Sequence, residues 1–280
     1  MTRSGTDFSF IERRVRGRKD RYRLESIKRD WYKIMKEGQV IKDRKLFSMK
    51  IGEYRFWFRR GSAPSSIDTY LEVFKDNNHM KVPGFKGKGN KVVLDIGANE
   101  GFYTFGMKKS NPKLKIVAVE PVPATFELLK RNVLGNGLKD IVLVNKALTR
   151  RKGRITFEIV PEVSAVCGLD IAMQKRPWLD TKRIKKITVE STTLADLCKE
   201  LKIGNIDILK LDVEGSELDI LRGSADFLPH ISKIVIEWHS EKLKEGCKSF
   251  LKKKGFRLVR EESKMCGDLY FVNTRRTILL

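Results

Sequence analysis

The stretch "ILKLDVEGSELDIL", residues 208–221, begins as an apolar strand and then presents three acids, Asp212, Glu214 and Glu217. Charged groups cost several kcal/mol to bury without partners, so these acids cannot continue a buried strand. The glycine after Glu214 and the helix-like sequence that follows it indicate a turn and then a helix. We therefore predict a strand that is apolar inside a sheet and acidic where it leaves the sheet.

The chain beyond residue 90 repeats this alternation of strands and helices. Short apolar runs such as "KVVLDIG" (91–97), "KIVAVEP" (115–121) and "KIVIEWH" (233–239) are separated by helical stretches. This order implies an α/β fold, with a largely parallel sheet and helices on both of its faces. Ligands of such sheets bind at the carboxyl ends of the strands. Those predicted ends carry the acids Asp95, Glu120, Asp212 and Glu237.

The net charge of +23 is unevenly distributed along the 280 residues. Residues 1–60 hold 19 Lys and Arg against 8 Asp and Glu, so they carry +11 of that excess. A basic segment of this kind attracts polyanions, which predicts an anionic partner for residues 1–60, either RNA or an acidic membrane surface. A solvated basic surface without a partner remains an equal alternative, because charge alone names no ligand.

Several classes of protein are not indicated by the sequence. The N-terminus has no apolar signal region, and no run of about 18 apolar residues predicts a membrane span, so we expect a cytoplasmic protein. The four cysteines do not form a CxxC pair, so neither a zinc site nor a disulfide framework is predicted. They are Cys167, Cys198, Cys247 and Cys266.

The turn in "VVLDIGANEGFYT" (92–104) predicts a site for a cationic ligand. Gly97 and Gly101 bracket a tight turn, and Asn99 is a residue type that tolerates the left-handed conformation. The spacing is not the GxGxxG of dinucleotide-binding folds. The turn has acids on both sides, Asp95 and Glu100, and no basic residue to hold a phosphate.

Two further strand ends extend this site. Glu120 lies 25 residues after Asp95, about where an acid accepts both hydroxyls of a ribose in such sheets. Asn145, in "VNKAL" (144–148), is placed to meet the edge of an adenine. In this order and spacing, the three strand ends describe a site for S-adenosylmethionine in a Class I methyltransferase.

The chain resembles the FkbM family of S-adenosylmethionine-dependent methyltransferases over residues 54–273. The motifs that carry the resemblance are "VVLDIGANEGFYT", "AVEPVPATFELLKRN" and, most specifically, "IDILKLDVEGSELDILRG". The resemblance implies a Rossmann-like Class I fold with a mostly parallel seven-stranded sheet. It also implies methyl transfer to a hydroxyl of a small molecule, glycan or lipid. The expected segments are a basic helical extension (1–53), an N-terminal part with a linker (54–90) and the methyltransferase domain (91–280).

The resemblance also implies roles for individual residues. It implies that the turn after the first strand binds the methionine end of the cofactor and that Glu120 binds the ribose. Asn145 and Ala147 would flank the adenine. Asp212 and Glu214 would lie beside the methyl group and the acceptor. The full set of expected cofactor-binding residues is Asp95, Gly97, Asn99, Gly101, Phe102, Glu120, Pro121, Asn145, Ala147 and Asp212.

An alcohol acceptor must also lose its proton, which predicts a base at the strand ends. Burial and like-charge neighbours raise the pKa of a carboxylate, so Asp212 or Glu214 is expected to orient and deprotonate the hydroxyl. Glu237 and His239 are second candidates, and Asp212 could instead only position the cofactor. Glu217 is interpreted as an acid of the first helical turn, favoured by the helix dipole. Clustered carboxylates can hold Mg²⁺, but this spacing is not diagnostic and no metal ligand is predicted.

Three alternative functions are considered. An RNA ribose 2′-hydroxyl is also an alcohol, so an RNA methyltransferase that binds RNA through its basic N-terminal segment stays open. Base methylation is disfavoured, because the strand end reads "LDVE" and lacks both an Asn/Asp-Pro-Pro-aromatic tetrapeptide and a Pro-Cys pair. A binding module without chemistry is disfavoured by the intact strand-end motifs, and a dehydrogenase by the glycine spacing.

Overall fold

A computed structural model describes residues 6–37, 41, 43, 45–76, 81–160, 163–168, 181–262 and 267–276. The helices are α1 (Phe8–Glu12), α2 (Arg18–Glu37), α3 (Ala63–Phe74), α4 (Phe102–Ser110), α5 (Pro123–Gly135), α6 (Leu194–Glu200), α7 (Glu217–Gly223) and α8 (Glu241–Lys253). The strands are β1 (Leu46–Ile51), β2 (Tyr54–Arg59), β3 (Val92–Ile96), β4 (Lys115–Val119), β5 (Ile141–Val144), β6 (Ala147–Leu148), β7 (Gly153–Val160), β8 (Val163–Gly168), β9 (Lys185–Thr192), β10 (Ile206–Leu211), β11 (Ile231–Trp238), β12 (Phe256–Glu261) and β13 (Gly267–Asn273).

Seven strands form the central sheet in the order β12-β13-β11-β10-β3-β4-β5. The five strands from β11 to β5 are parallel, and β13 runs antiparallel to both of its neighbours. After β3 the chain continues to β4 on one side, whereas after β10 it continues to β11 on the other. The strand order therefore reverses between β3 and β10, which is where such sheets bind ligands. The predicted Rossmann-like fold with a mostly parallel seven-stranded sheet is confirmed.

Both faces of this sheet are covered by apolar layers. Successive residues of a strand point to opposite faces. Val93 and Ile208 accordingly lie in the cluster that contains residues of α1 to α5. Leu94 and Leu209 lie in the cluster that contains residues of α6 to α8. Strands buried on both sides read as continuous apolar runs, which is the pattern that made them recognisable in the sequence.

A second sheet has the strand order β6-β9-β7-β8. The apolar run "DIVLVNKAL" (140–148) forms two strands in different sheets. Its first part, β5, pairs with β4 in the central sheet. Its last two residues form β6, which pairs with β9. The chain changes sheets at Asn145 and Lys146, a break that depends on the pairing partners and not on the local sequence.

The basic N-terminal region is part of the folded core. Ile11, Val15, Leu24 and Ile27 are buried in the same apolar cluster as the inner face of the central sheet. Residues 10–50 were expected to be mostly helical, but Leu46–Ile51 is the strand β1, which pairs antiparallel with β2. The division of the chain into segments 1–53, 54–90 and 91–280 stays a prediction.

Ion pairs connect α2 to the hairpin of β1 and β2. The Asp30 Oδ2 atom lies 3.1 Å from the Arg60 Nε atom, and Asp20 Oδ2 accepts a hydrogen bond from the Lys50 backbone N–H. The opposite face of α2 is exposed, including 71% of Tyr22. Within the described ranges, no helix has both the length and the apolar character needed to cross a bilayer. Cys198 and Cys247 are buried free thiols, and Cys266 lies outside the described residues.

Candidate active site

The turns that follow β3 and β10 lie against each other. The Asp212 backbone N–H donates to the Ile96 carbonyl at 3.0 Å. Gly97 has a φ of +83°, and a Cβ atom on it would lie 1.8 Å from the Asp212 carbonyl oxygen. Only glycine fits a left-handed position with a backbone so close. This contact joins two of the predicted motifs, "VVLDIGANEGFYT" and "LDVEG", into one site.

Beneath this contact lies a buried network of charged groups that includes Asp95. Asp95 accepts a hydrogen bond from the Thr104 hydroxyl at 2.7 Å. The Lys210 Nζ atom lies 3.9 Å from Asp95 Oδ1 and 2.9 Å from Asp212 Oδ2. Burial alone would lower the pKa of Lys210, but the carboxylates of Asp212 and Asp95 outweigh it and raise that pKa. Sequence reasoning missed Lys210, although a lone lysine inside an apolar strand is a visible signal.

Glu120 lies at the end of β4 and supports the turn that contains Asn99. Its carboxylate accepts hydrogen bonds from the backbone N–H groups of Asn99, at 3.0 Å, and Val122, at 2.9 Å. Burial, opposed in part by these hydrogen bonds, raises the pKa of Glu120 to about 7. Asn99 has a φ of +49°, and its side-chain oxygen is buried without a hydrogen-bond partner among the described residues.

The residues predicted to meet the adenine lie next to Glu120. The Asn145 side-chain amide donates to the carbonyls of Glu120, at 2.8 Å, and Pro121, at 3.0 Å. Ala147 is buried in β6, in a small apolar cluster with Val122. These contacts bring Asn145, Pro121 and Ala147 to the same edge of the sheet as Glu120.

Two other predicted cofactor-binding residues pack toward the interior. Phe102 is buried against Phe56 and Tyr70, with ring centroids 5.1 Å and 6.0 Å apart. Gly101 begins α4 with a φ of +95°, and its Cα faces the side chain of Leu129. The structure therefore places the Phe102 ring in the apolar core on one side of the sheet.

The other three predicted catalytic residues surround the ring of His239. The His239 Nε2 atom lies 3.4 Å from Glu214 Oε2, 4.0 Å from Asp212 Oδ1 and 4.0 Å from Glu237 Oε1. On the other side of the ring, Nδ1 lies 3.2 Å from Glu217 Oε1. The side chain of His239 is only 7% exposed, whereas those of Asp212 and Glu237 are 27% and 34% exposed, so the cleft opens to solvent on the carboxylate side.

Glu217 was expected from the sequence to be an ordinary acid of a first helical turn, but in the structure it also contacts His239. It begins α7, as expected for an acid of the first helical turn, but its side chain is fully buried. Besides the contact with His239, its Oε1 atom accepts from the backbone N–H groups of Val213, at 3.3 Å, and Gly215, at 3.2 Å. Glu217 thus connects the "DVEG" turn to the His239 ring.

The charges in this cleft shift two pKa values. Burial alone would lower the pKa of His239, but Glu214, Glu217 and Glu237 outweigh it and raise it well above the usual range. Partial burial and the nearby Asp212 carboxylate raise the pKa of Glu237 well above its usual range. The carboxylates around His239 therefore favour its protonated form in this arrangement.

The Glu214 backbone has a φ of +56°. A non-glycine residue in this left-handed region costs about 1–2 kcal/mol. The turn holds the side chain of Glu214 beside His239 in spite of that cost. Strain of this kind is concentrated at functional sites, where the surrounding structure maintains it.

Comparison with known proteins identifies the family to which this chain is similar. The sequence model of one protein family, the methyltransferase FkbM domain, matches residues 95–267. This range contains every predicted site residue. Methyltransferase sdnD from Sordaria araneosa is 25% identical over 233 residues, which cover 74% of this chain and 88% of that protein. The 31-O-demethyl-FK506 methyltransferase FkbM from Streptomyces tacrolimicus is 27% identical, covering 74% and 89% of the two chains.

A third relative is the 2-O-methyltransferase NoeI from Sinorhizobium fredii. It is 24% identical over 223 residues, which cover 76% of this chain and 86% of that protein. The family match extends over more than half of the chain and includes the turns after β3 and β10. This chain therefore belongs to the FkbM methyltransferase family and is an S-adenosylmethionine-dependent methyltransferase.

Proposed function

We propose that this protein methylates a hydroxyl oxygen of a small molecule, glycan or lipid. The observation that carries the proposal is the convergence of Asp212, Glu214 and Glu237 on His239 at the ends of β10 and β11. Carboxylates placed together at the binding edge of the sheet suit an acceptor that must lose a proton. The printed names of two relatives, a 2-O-methyltransferase and a 31-O-demethyl-FK506 methyltransferase, support an oxygen acceptor.

The residues after β3 and β4 fit the cofactor. The Asn99 side-chain oxygen is buried without a partner among the described residues, so it is available to accept a hydrogen bond from an ammonium group. Glu120 is held by two backbone N–H groups, beside Pro121 and Asn145, where it could accept ribose hydroxyls. We assign the methionine end to the turn of Gly97 and Asn99.

When bound, S-adenosylmethionine supplies an electrophilic methyl carbon on a cationic sulfonium. The protein's own task is to align the acceptor oxygen with that carbon, and alignment of this kind contributes about 7–11 kcal/mol in favourable cases. We assign orientation of the hydroxyl to Asp212, because Lys210 fixes its Oδ2 atom at 2.9 Å. We assign acceptance of the hydroxyl proton to a carboxylate oxygen of Asp212 or Glu214.

His239 supports this arrangement as a cation. Because its pKa is raised, it keeps a proton and holds the carboxylates of Glu214 and Asp212 near one another. This favours a carboxylate over His239 as the proton acceptor.

Transfer of label from tritium-methyl S-adenosylmethionine tests the acceptor class. The purified protein is incubated with a cell extract, and label is counted in small-molecule, glycan, lipid and RNA fractions. Alkali-stable label on oxygen in one of the first three fractions supports the proposal. Label that is confined to nitrogen or carbon atoms would refute it.

Label in RNA would favour the alternative acceptor, a ribose 2′-hydroxyl. One feature of the fold supports that alternative, because the outer face of α2 is exposed and carries basic residues that could contact phosphates. These include Arg18, Lys19, Arg21, Arg29 and Lys33.

Conservative substitutions test the assigned carboxylates. We expect Asp212→Asn and Glu214→Gln to retain cofactor binding and to lower turnover by about 10²-fold or more. The matched control is Asp219→Asn, because Asp219 lies on α7 with a side chain 61% exposed to solvent. Full turnover in both site variants would contradict carboxylate base chemistry.

A further inference from the structure

The imidazole of His239 has the environment of a metal ligand. Its side chain is buried, and Glu217 accepts from Nδ1 at 3.2 Å, which sets the orientation of the ring. The opposite nitrogen, Nε2, faces the carboxylates of Glu214, at 3.4 Å, and of Asp212 and Glu237, each at 4.0 Å. A carboxylate behind one ring nitrogen and anionic oxygens in front of the other is the usual setting of a histidine that binds a metal.

The distances between these groups match the size of a coordination sphere. One ligand atom from each of Asp212, Glu237 and His239 can be chosen so that all three lie within 4.8 Å of one another. Around an ion with bonds of about 2.1 Å, neighbouring ligands are about 3 Å apart and opposite ligands just over 4 Å apart. The two separations of 4.0 Å from Nε2 approach the spacing of opposite ligands, and only one of the two oxygens can lie opposite Nε2. Side-chain rotations that bring the other oxygen about 1 Å closer would close the sphere.

Glu217 indicates that positive charge is needed at the His239 ring. It is fully buried, and its Oε2 atom has no hydrogen-bond partner among the described residues. A buried carboxylate is costly unless positive charge lies close to it. Protonated His239 supplies that charge when no metal is bound, and an ion on the far side of the ring would supply it through the imidazole when one is bound, as in the carboxylate–histidine–metal arrangement.

We propose that Asp212, Glu237 and His239 bind a divalent cation of the Mn²⁺ or Mg²⁺ class next to the acceptor hydroxyl. The inference rests on the proposed O-methylation, because it assigns the ion to the same cleft. Carboxylate ligands favour such hard ions, and Mn²⁺ also accepts an imidazole. In the metal-free protein His239 carries a proton, and binding of the ion to Nε2 releases that proton to solvent.

The ion would act on the proton of the acceptor. A divalent cation polarises a coordinated oxygen and lowers the pKa of its hydroxyl. The O–H bond of the acceptor then breaks more easily, and its proton passes to Glu214, which lies 3.4 Å from Nε2 and is not one of the three ligands. Asp212, Glu237 and His239 are therefore the ligands, and Glu214 is the proton acceptor. Glu217 is the positioning residue behind His239.

Direct binding of Mn²⁺ tests the site without cofactor or acceptor. The purified full-length protein is treated with EDTA, exchanged into metal-free buffer and titrated with MnCl₂, and free Mn²⁺ is measured by electron paramagnetic resonance. We expect one saturable site per chain. Asp212→Asn and Glu237→Gln should each weaken binding by at least about 10-fold, whereas the exposed control Asp219→Asn should bind as the unaltered chain does.

Two further measurements keep the test decisive. Thermal unfolding without metal verifies that each variant folds, and Mn²⁺ should raise the midpoint of the unaltered chain but not that of Glu237→Gln. Glu217→Gln retains an oxygen that accepts from Nδ1, so it should fold and bind Mn²⁺ more tightly than Glu217→Ala.

The outcomes separate this inference from the proposed function. Absence of saturable Mn²⁺ binding, or equal binding by the unaltered chain, Asp212→Asn and Glu237→Gln, overturns the metal site. Full methyl transfer to a hydroxyl by the EDTA-treated protein also overturns it, while the O-methylation stands. Saturable binding that both variants weaken supports the site even if no hydroxyl acceptor is labelled.

Discussion

The contact between Gly97 and Asp212 makes a quantitative prediction. In Gly97→Ala, the new Cβ atom would lie 1.8 Å from the Asp212 carbonyl oxygen, whereas ordinary contacts begin at 3.4 Å. The neighbouring atom is backbone, so the two turns must separate by about 1.6 Å. Gly89 is a matched control, because its φ is also +83° but nothing lies within 4 Å of a Cβ atom added to it.

The difference between the two variants isolates the cost of the contact. An alanine in the left-handed region costs about 1–2 kcal/mol in either variant. Overpacking adds about 1–3 kcal/mol in Gly97→Ala alone. We therefore expect the free energy of unfolding to fall by about 2–5 kcal/mol in Gly97→Ala and about 1–2 kcal/mol in Gly89→Ala. The effect of alanine on the unfolded chain is common to both variants and cancels.

Denaturant unfolding and methyl transfer together test this prediction. A displacement of about 1 Å near reacting groups can lower a rate by about 10²-fold, so Gly97→Ala should also lose turnover while Gly89→Ala keeps it. Turnover is measured at temperatures where both variants are folded. Equal losses of unfolding free energy in the two variants would refute the contact, and unchanged turnover in folded Gly97→Ala would refute its role in placing Asp212.

Two further predictions concern a buried acid and the N-terminal helix. Because the folded state raises the pKa of Glu120 from 4.5 to about 7, its stabilising contribution is full below pH 4.5 and is lost as pH rises through about 7. Glu120→Gln should remove about 2–3 kcal/mol of that pH dependence, measured by denaturant unfolding at about pH 5 and about pH 8, and an unchanged dependence would contradict it. Leu24→Ala should lower the unfolding free energy by about 2–4 kcal/mol, whereas the exposed Tyr22→Ala should change it by no more than about 0.5 kcal/mol. Equal effects in a denaturant titration would contradict the packing of α2.

The position of the acids could be predicted from the sequence because it depends on local pattern. Apolar runs mark buried parallel strands, and the carboxyl ends of such strands share one edge of the sheet. Asp95, Glu120, Asp212 and Glu237 could therefore be placed at that edge before any distance was known. The same reasoning predicts the fold, since strands that alternate with helices leave few ways to pack.

The relations among these groups are decided by the tertiary structure. Gly97 and Asp212 are 115 positions apart, and their contact arises only when β3 and β10 pair. Phe102 follows the predicted turn, but packing of α4 directs its ring into the core. Glu217 looks like an ordinary acid of a first helical turn, yet the fold buries it behind His239. Local pattern fixes which elements form and where they end, whereas the distance between side chains on different elements depends on how those elements pack.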